Sequence, residues 1–185
     1  DFMTIIMDQI ANQAAKIHYM SGGKLKVPMV VRTNLGASRR SAAQHSQSLH
    51  VWLSHIPGLK VILPSTPYDA KGLMKTAIRD DNPVVFFEDK MMFQDKGKVP
   101  EGDYTIPFGV ADIKKEGTDI TLIGTSSMVQ VALEAADHLA QVDISAEVID
   151  PRTILPLDKK TLIDSAIKTS RAIVIDEGYA SYGVT

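Results

Sequence analysis

Residues 59–87 read LKVILPSTPYDAKGLMKTAIRDDNPVVFF. The run divides into three pieces by residue type alone. Leu59 to Leu63 is short, apolar and partly β-branched, and Val84-Val85-Phe86-Phe87 repeats that pattern, so each reads as a strand buried on both faces. Between them the spacing predicts a helix from Pro67 to Arg79. Proline suits a first helical turn because its missing N–H would have no partner there. Asp80-Asp81-Asn82-Pro83 ends it. Strand, helix and strand in about thirty residues is the parallel crossover unit of an open α/β sheet.

The same alternation extends outward. From Phe2 to Met20, Ile6, Ile10, Ala14 and Ile17 recur at helical spacing and Ser21-Gly22-Gly23 closes the run. Met29-Val30-Val31, preceded by Pro28, reads as a further buried strand. Met91 to Pro107 has no sustained period and carries turn-forming Lys96-Gly97-Lys98 and Pro100-Glu101-Gly102-Asp103, so a linker is expected over 91–117. A second α/β domain is expected over 118–185, with strands at Ile120-Thr121-Leu122-Ile123, Ala146 to Ile149 and Ala172 to Ile175, and helices at Met128 to Leu139 and Lys159 to Lys168. The fold expected is a doubly wound parallel sheet over residues 1–90, helices on both faces, then a second α/β domain that stops incomplete. Both ends look cut.

Bulk composition removes several function classes. The 185 residues are 44% apolar, with 20 Lys and Arg against 22 Asp and Glu. No basic run exceeds the length of Arg39-Arg40, so no footprint for a nucleic-acid backbone exists. Apolar stretches fall far short of the roughly 18 residues that span a bilayer. The chain has no cysteine, which excludes disulfides, thiolate metal sites and thiol nucleophiles. The default expectation is a cytoplasmic location.

Signatures of self-sufficient catalysis are missing: there is no G-x-x-x-x-G-K-[ST], G-x-G-x-x-G or G-x-S-x-G. His45, His50 and His55 are evenly spaced. Five residues on a helix turn each about 140° from the last, however, and no acidic third ligand accompanies them. The segment from Gly36 to Leu49 is more informative. It follows a strand, at the carboxyl edge where open α/β sheets bind ligands, and is long and rich in donors. Two readings stand at this point: a ligand-facing loop, or Gln44 and His45 satisfying the start of the next helix.

Gly36-Ala37-Ser38, Ala42-Ala43-Gln44-His45-Ser46-Gln47, Pro57-Gly58-Leu59-Lys60-Val61, Tyr68-Asp69-Ala70-Lys71-Gly72-Leu73 and Ala77-Ile78-Arg79-Asp80-Asp81-Asn82-Pro83-Val84-Val85 occur here in one order. In that order and spacing the chain resembles the β subunits of pyruvate, branched-chain 2-oxo acid and acetoin dehydrogenases. Asp8-Gln9-Ile10, Tyr19-Met20-Ser21-Gly22-Gly23, Val27-Pro28 and Asp150-Pro151-Arg152-Thr153-Ile154-Leu155-Pro156-Leu157-Asp158 extend the likeness over essentially the whole chain. The resemblance implies a pyrimidine-binding domain and a transketolase C-terminal domain, paired with an α subunit in an α2β2 heterotetramer that works with a lipoyl acyltransferase core.

It also implies thiamine diphosphate shared between subunits, its diphosphate and magnesium on α and its pyrimidine on β. Phe2 would pack on the pyrimidine ring, the alternative being a first-turn core residue. His45 would be the active-site histidine, hydrogen-bonding substrate or moving a proton as the acyl group passes to lipoamide. His18, His50, His55 and His138 match no site of the family and are expected to be structural or solvated. A potassium site of mainly backbone carbonyls would fall on Met29, Ala77, Ile78, Asp80 and Asn82, the alternative being an ordinary helix end. The family's glutamate that activates the pyrimidine would lie upstream of Asp1. The expected substrate is acetoin or pyruvate, with branched-chain 2-oxo acids behind. A scaffold that has lost its chemistry and a single-chain transketolase-type enzyme are the competing readings.

Overall fold

A computed structural model describes residues 1–185. The crossover unit forms as β2 (Lys60–Ile62), α3 (Pro67–Ile78) and β3 (Val84–Asp89). Thr66 starts the helix. Its Oγ1 accepts from the Asp69 N–H at 3.1 Å while its hydroxyl donates to the Asp69 carboxylate at 2.5 Å, so one side chain satisfies a first-turn amide and a buried acid together. β1 (Val30–Leu35) and β2 flank β3, both parallel to it.

Successive side chains of β3 point to opposite faces, and each face has its own core. Val85 and Phe87 join Val61 and Leu63 against Ile10, Ala15 and Leu53, which places α1 (Ala15–Met20) and α2 (His50–Ser54) on that side. Val84 and Phe86 join Ile62 against Leu73 and Ala77 of α3. Burying each such side chain is worth about 1.5–3 kcal/mol. The single helix expected from Phe2 to Met20 is instead three consecutive helical pieces: a 3-10 turn at Phe2–Ile6, a wider π-helical stretch at Gln9–Ala14, then α1. Ile10 and Ala14 are its inward residues in the π stretch.

In the second sheet, β5 (Ile120–Gly124) lies parallel to both β6 (Ala146–Asp150) and β8 (Ala172–Ile175). α4 (Met128–Ala140) lays Ala132 and Ala136 onto Leu122 and Val148. On the other face, α5 (Lys159–Thr169) turns Ser165 and Thr169 inward, where they hydrogen-bond the Thr121 hydroxyl at 2.6 and 2.8 Å. No helix is long and apolar enough to cross a membrane.

Two strands depart from the sequence reading. β4 (Asp112–Lys115), inside the expected linker, pairs antiparallel with β6. β7 (Thr153–Leu155) leaves the second domain and pairs antiparallel with β2 at the edge of the first sheet. Both sheets are therefore mainly parallel with one antiparallel edge, and the strand order is β1-β3-β2-β7 in one and β4-β6-β5-β8 in the other. The rest of the expected linker is a strap on α3. Tyr104 stacks on Tyr68 with ring centroids 4.7 Å apart, and Ile106 is buried against Leu73. Its Gly and Pro content marks turns, which is compatible with tight packing.

A buried ionic cluster joins the two domains. Lys114 of β4 lies 2.9 Å from Asp69 of α3, 2.7 Å from Asp112 and 3.5 Å from Asp150. Arg152 reaches Asp69 at 2.8 Å and Asp112 at 2.9 Å. Burial alone would raise the Asp69 acid, but the Thr66 hydroxyl and the Lys114 ammonium outweigh it and hold the carboxyl below its ordinary range. Asp150 goes the other way. Burial pushes it up to about 6, against the pull of Lys114 and the Ser65 hydroxyl.

Candidate functional site

The loop between β1 and α2 carries His45. It starts at Gly36, whose φ of +127° suits a residue without a Cβ, and includes Arg40 and Ala42 at φ 53° and 63°. Local bonds hold its middle. Ser41 N–H donates to Ser46 Oγ at 2.8 Å, Gly36 N–H to the Gln47 carbonyl at 3.2 Å, and Gln47 N–H to Asp1 Oδ1 at 3.3 Å. Lys90, just past β3, donates to Asp1 Oδ2 at 2.8 Å and to the His45 carbonyl at 2.5 Å. Burial pulls the Lys90 ammonium down from its ordinary range, although Asp89 and Glu177 act in the opposite sense.

These contacts pin the His45 backbone and leave its ring in solvent. Forty-three residues away in sequence, Phe2 meets it. The two rings lie edge to face with centroids 5.1 Å apart and planes at 75°. Phe2 is 53% exposed, so it is not the core residue of the alternative reading. Both rings line a cleft of about 480 Å³ with Asp1, Ile6, Arg32 and Asn34, running along β1 at the free edge of the first sheet. An open cleft with an aromatic wall and an exposed imidazole can take a flat heterocycle and offer a hydrogen bond or a proton beside it.

The other expected residues sit elsewhere. At the carboxyl end of α3, the Ala77 carbonyl accepts from the Asp80 N–H at 3.3 Å and the Met29 carbonyl from the Val84 N–H at 2.9 Å. The carbonyls of Ile78, Asp80 and Asn82 accept none of the backbone bonds that close these turns. The Asp80 carboxylate is already engaged by Lys60 and by both Asn82 nitrogens. A cation here would therefore be held by carbonyl oxygens, a donor set that fits a large monovalent ion.

His50 belongs to neither place. It is wholly buried, and its Nε2 donates to Asp176 Oδ2 at 3.1 Å across the domain seam. His18 Nδ1 lies 2.8 Å from the Leu25 carbonyl, a local turn contact. Sequence reasoning did not single out Asp1, Lys90 or Asp176. Charged residues at the ends of the chain or of strands give no periodic signal, and their partners are remote in the chain.

Comparison with known proteins puts a family on this arrangement. Residues 1–96 match the family model described as transketolase, pyrimidine binding domain, and residues 109–185 match transketolase, C-terminal domain. The beta subunit of acetoin:2,6-dichlorophenolindophenol oxidoreductase from Bacillus subtilis (strain 168) is 55% identical over 96% of this chain and 52% of its own length. The pyruvate dehydrogenase E1 component subunit beta of Rickettsia conorii (strain ATCC VR-613 / Malish 7) is 49% identical over 100% of this chain and 58% of its own. The chain thus spans little more than half the length of these relatives. A solved structure titled "Split gene transketolase, inactive beta4 tetramer" shares the fold at TM-score 0.72 and 21% identity, over 92% of this chain and 55% of its own. This chain belongs to the transketolase family, as a pyrimidine-binding domain followed by a transketolase C-terminal domain, and is similar to the β subunits of acetoin and pyruvate dehydrogenases.

Proposed function

We propose that the chain supplies the β side of the active site in the thiamine-diphosphate-dependent component of an acetoin or pyruvate dehydrogenase complex, with an α subunit completing it in an α2β2 assembly. The observation that carries this reading is the meeting of Phe2 and His45 in one open cleft. The exposed Phe2 ring suits the pyrimidine face, and the cleft's open side leaves room for a second chain. In this reading α holds the diphosphate and magnesium.

When bound, thiamine diphosphate supplies the carbon nucleophile for attack on the substrate carbonyl. His45 donates a hydrogen bond to the substrate oxygen and carries a proton as the acyl group leaves for the lipoyl arm of an acyltransferase core. Lys90 fixes the His45 main chain, so the imidazole swings about its side-chain bonds alone. Identity of 55% to an acetoin subunit against 49% to a pyruvate subunit supports acetoin first. A 2-oxoisovalerate dehydrogenase subunit beta from Bacillus subtilis (strain 168), 47% identical, keeps branched-chain 2-oxo acids as a second reading.

The test is turnover by the full-length chain purified with its α partner, given thiamine diphosphate, magnesium, an artificial electron acceptor and each of the three substrates in turn. Acetoin or pyruvate is expected to be turned over, and no turnover of any substrate rejects the assignment. His45→Ala is expected to lower kcat by about two orders of magnitude, the scale of a positioned proton-transfer group, with cofactor affinity little changed. A variant within about twofold of wild type would return His45 to a structural role.

A further inference from the structure

We infer that Asp176 and Glu177, adjacent residues at the carboxyl end of β8, are positioning residues that hold the His45 loop from the second domain, one at each end of the loop. The inference rests on the reading of His45 as a working group. The loop leaves β1 at Gly36 and re-enters regular structure at His50. At its start, Glu177 Oε2 accepts from the Ser38 N–H at 3.1 Å. At its end, Asp176 Oδ2 accepts from His50 Nε2 at 3.1 Å and from the Gly178 N–H at 2.8 Å, while Oδ1 accepts from the Thr125 hydroxyl. The His50 and Asp176 side chains are 0% and 3% exposed, so water does not compete for their bond.

The loop needs such a grip. Arg40 is left-handed, and Ala42, at φ 63° and ψ −177°, occupies a region that suits glycine. Conformations of this kind are strained and persist only where surrounding contacts over-determine them. Bonds inside the first domain hold the loop's middle. Its two shoulders are held across the seam.

Glu177 has a second acid beside it. Its Oε1 and Asp89 Oδ2 are both buried without a hydrogen-bond partner. Burial and the Asp89 carboxyl raise the Glu177 acid, against the pull of the Ser38 N–H. The charges facing the pair are Lys90, Arg39 beyond it, and Asp1, which Lys90 also binds. Gly36 lies against both acids: a Cβ there would stand 3.1 Å from Asp89 Oδ1 and 3.4 Å from Glu177 Oε1.

The experiment uses the full-length chain assembled with its α partner, in four versions besides wild type: Glu177→Ala, Glu177→Gln, Asp176→Ala and His45→Ala. It reads kcat and KM, and amide hydrogen exchange over residues 37–49. Glu177→Ala and Asp176→Ala are expected to lower kcat about tenfold at nearly constant KM and to speed exchange in the loop by a similar factor, as loss of positioning does. Glu177→Gln keeps an acceptor for the Ser38 N–H and carries no charge. It is expected to keep kcat within about threefold of wild type. Wild-type exchange in Glu177→Ala overturns the clamp, as does a Glu177→Gln enzyme as impaired as Glu177→Ala. Exchange reads the clamp without reference to His45, and His45→Ala reads His45 without reference to the clamp. Faster exchange beside a fully active His45→Ala therefore sustains the clamp and removes the role it serves.

Discussion

Gly58 stands at φ +100°, and a Cβ built there would lie 2.0 Å from the Ala15 carbonyl oxygen of α1. The backbone of the turn before β2 thus touches the backbone of the first helix with nothing between them. Gly58→Ala forces both a strained φ and a main-chain collision, and we expect a loss of about 3 kcal/mol in urea denaturation, at the high end for a single surface-turn change. A loss under about 1 kcal/mol would mean that α1 shifts freely. This glycine was visible in the sequence as part of Pro57-Gly58-Leu59, though its neighbour was not. His45 and Phe2 were likewise legible as separate residues, through motif resemblance, while their meeting belongs to the fold. Glu177 was not legible at all, since its Ser38 partner is 139 residues away and no pattern in the chain connects them.

Elements were readable where both sides of a strand are apolar and unreadable where burial is polar. β3 and α3 follow from residue type. The inward face of α5 does not: Ser165 and Thr169 are buried while Ile163 and Ile167 are 55% and 71% exposed, the reverse of an amphipathic pattern. The hydroxyls go inward because β5 presents Thr121 to them. β4 and β7 escaped notice for a different reason: Asp112–Lys115 carries three charged residues and Thr153–Leu155 lies between Pro151 and Pro156, so neither shows the apolar run that marks the equally short β2 and β8. At the carboxyl end of α3, the unengaged carbonyls of Ile78, Asp80 and Asn82 carry the potassium proposal. Potassium is expected to raise the thermal midpoint of the full-length assembly more than lithium at equal ionic strength, because an ion bound only by the folded state stabilises it. Equal midpoints in the two salts would leave an ordinary helix end.

For the molecule as a whole, the charged seam makes stability depend on pH through Asp150. Its folded value of about 6 lies above the roughly 3.9 of an unfolded chain. The folded state therefore holds the extra proton between those values, and the stability this contributes is fully present below about pH 4 and is lost as pH rises through 6. Asp150→Asn keeps an acceptor for the Arg152 N–H and carries no charge. Its unfolding free energy should gain on wild type by up to about 3 kcal/mol between pH 4 and pH 7.5. Parallel denaturation curves at the two pH values, with a constant gap between variant and wild type, would show that Asp150 is ionised throughout.

The seam also has a mechanical meaning. β7 leaves the second domain, lies against β2 in the first sheet, and the chain then returns to the second domain as α5. The domains are thus joined by strand pairing as well as by the chain that connects them. Asp176 and Glu177 arrive at the loop from the end of β8. Separating the two halves means unzipping sheet hydrogen bonds, which is local unfolding in character and bears no relation to the closing of a jaw.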